Sequence, residues 1–107
     1  MRITMSEASA DLSRQAGVVL DIGEGVGALV IRTAEDLRGL EIEVSPRGDD
    51  NARQHVEVHE RRAGEKAVFA AVFPGLRAGT YTIWRAPGEH WREVVIRGGR
   101  VEEVDWT

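Results

Sequence analysis

The sequence predicts an all-β fold: one antiparallel Greek-key β-sandwich domain of seven to eight strands. Two observations carry this. Short runs of β-branched and aromatic residues recur about every ten residues from Gly17 onward, with turn-forming residues between them. No apolar stripe at helical spacing, bounded by capping residues, interrupts that rhythm. The chain has 107 residues, enough for one domain with a modest core. Residues 1–16 are polar and Ala/Ser-rich and read as a loosely attached segment, leaving 17–107 for the sandwich.

The elements follow in order. Val18-Val19-Leu20-Asp21-Ile22 is the first strand expected, and Gly23-Glu24-Gly25 turns the chain into Ala28–Thr33. Ala34–Leu37 is a polar connection. Leu40-Glu41-Ile42-Glu43-Val44 alternates strictly, which puts Leu40, Ile42 and Val44 on one face and the glutamates in water. Pro46 to Gln54 is a polar loop. His55 to Glu60 alternates again and is expected to be a single strand with Val56 and Val58 inward. Ala67–Phe73 is apolar almost throughout, the pattern of a central strand covered on both faces.

The chain is expected to close on a hairpin. Glu93–Arg97 and Arg100–Trp106 flank Gly98-Gly99, and a type I′ turn there would set Trp91 opposite Trp106.

The most informative stretch is Phe73-Pro74-Gly75-Leu76-Arg77-Ala78-Gly79-Thr80-Tyr81-Thr82-Ile83. Pro74-Gly75 is expected to end one strand and Ala78-Gly79 to bend into the next. Leu76 caps the core, and the Tyr81 hydroxyl sits where it can bond back to backbone near Arg77. That is the logic of a tyrosine corner, which pins a passage between two sheets. Phe73, Leu76, Gly79 and Tyr81 match the "F-x-x-L-x-x-G-x-Y" segment of the transthyretin-like (prealbumin) group. The chain thus resembles its carboxypeptidase regulatory-like and collagen-adhesin B-type domains. The resemblance implies a mostly non-catalytic module: a stalk, an adhesion spacer or an accessory or sugar-contacting domain. The hydrolase relative's terminal Tyr-Arg-Gly-Ser has no counterpart, since this chain ends Val104-Asp105-Trp106-Thr107. Lys66 and Asn51 are the only lysine and asparagine, and neither sits in a strand-core setting suited to the isopeptide bond of the adhesin relatives.

Composition excludes several classes. Cysteine is absent, so there is no disulfide frame and no thiolate chemistry. The formal charge is −4, with arginines interleaved among acids, which points away from nucleic acid. The longest apolar run, Gly27 to Ile31, is far below the ~20 residues of a membrane span. The opening residues carry no apolar signal core, which points to the cytoplasm.

Four residues are the candidate binding set: Trp84, Arg85, Trp91 and Trp106. Tyr81 and Ile83 should face the core, which turns Trp84 outward, where an aromatic ring beside Arg85 or Arg92 would stack on a sugar or anchor a partner. His55-x-Glu57-x-His59, with His90 from a loop, resembles a metal set. On one extended strand, however, the outer histidines would stand about 13 Å apart, too far for one ion. Gly23–Gly27 echoes a dinucleotide loop but leads into a strand, so no helix N-terminus is there to hold phosphate. Arg47-Gly48-Asp49 matches the integrin tripeptide, a match short enough to arise by chance. No Gly-x-Ser-x-Gly elbow occurs.

The reading that results is a non-catalytic interaction or accessory module without a cofactor. Its partner would be another protein or a second copy of the chain. Two alternatives remain open: a small-ligand or carbohydrate-binding module using the tryptophans, and a metal-assisted hydrolase using His55, Glu57, His59 and His90.

Overall fold

The computed structural model describes residues 20–85 and 89–106. The eight strands among them are β1 (Val26–Thr33), β2 (Glu41–Pro46), β3 (Gln54–Glu57), β4 (His59–Ala63), β5 (Lys66–Arg77), β6 (Gly79–Arg85), β7 (Glu89–Ile96) and β8 (Val101–Asp105). They form two four-stranded sheets, ordered β4-β5-β1-β8 and β3-β2-β6-β7. A single 3₁₀ turn, Glu35–Leu37, joins β1 to β2. No helix among the described residues is long and apolar enough to cross a membrane.

One core lies between the two sheets. Leu29, Ile31, Ala71 and Phe73 enter it from the first sheet, and Ile42, Val44, Tyr81, Ile83, Val94 and Ile96 from the second. Each strand contributes at every second position, because side chains alternate between the faces of a strand. β5 is buried on its other face as well. There Ala70 and Val72 pack with Val30 and with the half-buried Leu20, Val68 and Val101. The near-continuous apolar run of β5 reflects this two-sided burial.

The passage from β5 to β6 crosses from one sheet to the other. The Tyr81 hydroxyl donates a 2.8 Å hydrogen bond to the Arg77 carbonyl across that passage, and Leu76 is buried in the core below it. Burial pushes the Tyr81 phenol above its usual range, with nearby Arg77 pulling the other way. The same passage is tied to the first turn, where the Ala78 N–H donates to the Gly25 carbonyl.

Four sequence expectations change. Leu20–Ile22 is not a strand: Asp21 donates to the Pro74 carbonyl at 2.9 Å, and a tight turn bridges Gly23 to Val26. Val18, Val19 and the 1–16 segment lie outside the described residues. Pro74-Gly75 does not end β5. The strand runs on to Arg77, and the pairing with β1 slips between Gly27 and Leu29. Proline has no N–H to give the ladder, so an irregularity is where it fits.

The His55–Glu60 alternation is not one strand. The chain leaves β3 of one sheet at Glu57, passes through Val58, and begins β4 of the other at His59. Val58 is fully buried at this corner. It donates to the Leu40 carbonyl and accepts from Gly39, each at 2.9 Å. Alternation reports burial of Val56 and Val58 but not a change of sheet between them.

The closing hairpin is not formed, and the fold is not wholly antiparallel. β7 pairs with β6, whereas β8 crosses over and pairs in parallel with β1. Gly99 has φ +72°, but Gly98 does not share that conformation, as a type I′ turn would need. Gly98 serves a close approach instead: a Cβ there would lie 2.6 Å from the Gly25 nitrogen. The glycine pair lets a crossover turn press against the start of β1.

A candidate ligand cleft at one end of the sheets

Three connections meet at one end of the two sheets. The 3₁₀ turn is closed by Leu37 N–H to the Ala34 carbonyl and Arg38 N–H to the Glu35 carbonyl, and Leu40 N–H then bonds the Leu37 carbonyl. This folding turns Leu37 and Leu40 against the core edge. Arg85 ends β6 and faces Glu89, which opens β7. Trp106 follows β8, where its N–H donates to the Arg32 carbonyl at 2.7 Å.

Together they enclose a cleft of about 450 Å³ lined by Ala34, Asp36, Leu37, Leu40, Arg85, Glu89 and Trp106. That volume is within the range of small-molecule sites. Trp106 forms a wall and is only 4% exposed. The Arg85 guanidinium carbon lies 4.9 Å from its ring centroid. Trp91 packs 4.2 Å away, tilted by 39°. A one-residue bulge permits that contact: the register steps from Ile83↔Arg92 to Trp84↔His90, so Trp91 is the extra residue of β7 and turns to the core.

The cleft brings charges of both signs beside apolar walls. Arg32, Arg38, Arg47 and Arg53 pair with Glu103, Glu60, Glu93 and Glu43. Among the described residues Asp36, Arg85 and Glu89 have no ion-pair partner. Three unpaired charges of mixed sign therefore edge an apolar hollow.

The sequence-derived binding set is divided by the fold. Arg85 and Trp106 line the cleft and Trp91 supports it from behind, but Trp84 lies on the opposite face of its sheet. It is also covered rather than open, at 9% exposure. Its indole N–H donates to the Ser45 hydroxyl at 2.9 Å, and Arg53 lies 3.9 Å above the ring. Arg53 is held there by Glu43 and by the Asp50 carbonyl, each at 2.8 Å. The expectation of an exposed Trp84 is corrected because the polar loop before β3 folds an arginine over it. Arg92 lies 5.3 Å from the Trp91 ring centroid.

The metal-type residues do not converge as a set of four. His59 contacts Glu57 at 3.6 Å and His55 contacts Glu41 at 3.8 Å. His90 stands edge-on to Trp84, 6.0 Å between centroids. His55 instead groups with Glu41 and Glu43, whose ligand atoms all lie within 4.8 Å, but Glu43 is already held by Arg53. Arg61 on β4 is buried, which lowers its pKa, and its Nε donates to the Ala70 carbonyl at 3.0 Å.

Sequence reasoning missed Ala34, Asp36, Leu37, Leu40 and Glu89 as cleft residues. One signal was available for Glu89: in the sequence Pro87-Gly88 breaks the strand that ends at Arg85, and Glu89 follows directly and pairs with Arg85. Asp36 carried no signal, because its position depends on how the β1–β2 connection docks.

No protein-family model matches this chain, and no curated protein matches it. A solved leucine-rich repeat protein from Bacteroides thetaiotaomicron VPI-5482 is similar over 78% of this chain and 12% of its own, at 17% identity and a TM-score of 0.45. That similarity is too low to carry an argument about this chain.

Proposed function

We propose that this chain is a non-catalytic binding module that takes a small ligand in the cleft between Arg85 and Trp106. One observation carries the reading: Asp36, Arg85 and Glu89, charges of both signs, line one hollow beside the apolar walls of Leu37, Leu40 and Trp106. Side chains that neutralise each other on a surface ask nothing of a ligand. Side chains held unpaired beside apolar walls supply orientation to whatever enters.

The tyrosine corner and the two sheets around one core support a transthyretin-like module of Greek-key type. A carbohydrate platform on Trp84 is less well supported, because a sugar would have to displace Arg53 from the ring. An oligomer built on spare tryptophans loses its basis too, since Trp84 and Trp106 are spent inside the domain.

The test is a fragment screen followed by two-dimensional NMR of the whole chain. Binders should shift the Leu37, Leu40, Arg85 and Trp106 resonances together. A screen whose hits all map elsewhere, or which yields no hit, would overturn the reading.

A further inference from the structure

We infer that the cleft selects a zwitterion with an apolar side chain, that is, a free apolar amino acid. This rests on the reading of the cleft as the ligand site. The argument is one of complementarity. The hollow offers two carboxylates, Asp36 and Glu89, one guanidinium, Arg85, and apolar walls from Leu37, Leu40 and Trp106.

A simple anion would meet two like charges and one opposite. A simple amine would satisfy the carboxylates and leave Arg85 facing a second cation. A zwitterion answers both signs at once. Its ammonium is drawn to the carboxylates of Asp36 and Glu89, its carboxylate to the planar fork of Arg85, and its side chain to the leucines. Arg85 is free to serve because its described contact is with the Trp106 ring, not with a carboxylate. Glu89 is fixed relative to Arg85 by direct cross-strand pairing, so the ligand's two charges meet a spacing set by the sheet.

The experiment is a calorimetric and NMR titration of the intact chain with L-leucine, isoamylamine and 4-methylpentanoate. The last two are leucine without its carboxylate and without its amine. Leucine should bind about tenfold or more tightly than either, since each charge-assisted contact is worth roughly that factor. Arg85→Gln should bring leucine down to the level of isoamylamine, and Glu89→Gln with Asp36→Asn down towards 4-methylpentanoate. Isoamylamine binding as tightly as leucine would overturn the inference, as would leucine affinity unchanged in Arg85→Gln. No binding of the three probes, with other fragments still shifting cleft resonances, would overturn this ligand class while leaving the cleft as a binding site. Circular dichroism of each variant separates lost binding from lost folding.

Discussion

Trp91 and Trp106 lie 4.2 Å apart between ring centroids, although Trp91 is on β7 of one sheet and Trp106 follows β8 of the other. The pair joins the two layers at the end where the cleft opens. Its geometry comes from a bulge in β7 and from the Arg32 carbonyl that anchors the Trp106 backbone. Trp106 is thus both a core residue and a cleft wall.

Truncation of this pair is costly. Trp106→Ala is expected to destabilise the chain by about 3–5 kcal/mol, the usual range for removing a buried large aromatic. Trp106→Phe should cost less and keep the fold. Denaturant unfolding followed by far-ultraviolet circular dichroism measures both, and equal costs would show that the indole is not packed as described.

The Tyr81 hydroxyl supplies a second prediction. Tyr81→Phe keeps the ring and loses the bond to Arg77, so stability should fall by about 0.5–1.5 kcal/mol at neutral pH. The pH dependence has a definite sign. Burial raises the Tyr81 pKa from its ordinary 10.0, so the folded state holds the phenolic proton longer than the unfolded one. This contribution is complete below pH 10 and is lost as pH climbs through the folded-state value. Urea midpoints taken from pH 9 upward should therefore decline more steeply in the parent than in Tyr81→Phe.

Two glycines predict opposite outcomes. A Cβ on Gly27 would run into the Arg97 carbonyl oxygen and sit 2.9 Å from Ile96 Cγ2, while one on Gly23 meets nothing. Gly27→Ala should cost about 1–3 kcal/mol or more, because the obstructing atoms include backbone on the crossover turn. Gly23→Ala should be within about 0.5 kcal/mol of the parent. Thermal melts of the two variants side by side decide the matter, and comparable melting temperatures would refute the close approach of the crossover to β1.

Arg53 over Trp84 is readable by fluorescence. Arg53→Ala should uncover the indole and shift its emission to the red, read most cleanly where Trp91 and Trp106 are both phenylalanine. Ser45→Ala should cost about 1–3 kcal/mol, because it leaves the buried Trp84 N–H without its acceptor. An emission maximum unmoved by Arg53→Ala would mean that the arginine does not cover the ring.

Much of this molecule was legible in residue order. Leu40-Glu41-Ile42-Glu43-Val44 gave its inward set correctly, with Ile42 and Val44 fully buried, because period-two alternation is a local property of extended chain. The Tyr81–Arg77 bond was legible for the same reason: its partners are four residues apart and joined by a tight bend. The apolar stretch of β5 announced burial on two faces.

Partners across sheets were not legible. Val58 looks like any inward valine until Leu40 and Gly39 take its backbone bonds and turn the chain into the other sheet. Gly98-Gly99 suits a hairpin or a crossover equally well, and the parallel partner of β8 lies some seventy residues earlier. The sequence pairs Trp91 with Trp106 through a hairpin, yet they meet through a bulge and a sheet crossing.

By itself, then, the sequence determined the all-β class, the inward faces and the Tyr81 corner, all set by torsional preference and burial over a few residues. The tertiary structure alone decided which strands share a sheet, which tryptophans are covered, and that Asp36, Arg85 and Glu89 edge one cleft. Those outcomes depend on long-range docking, where many pairings satisfy the same local pattern and only the packing of the whole core selects among them.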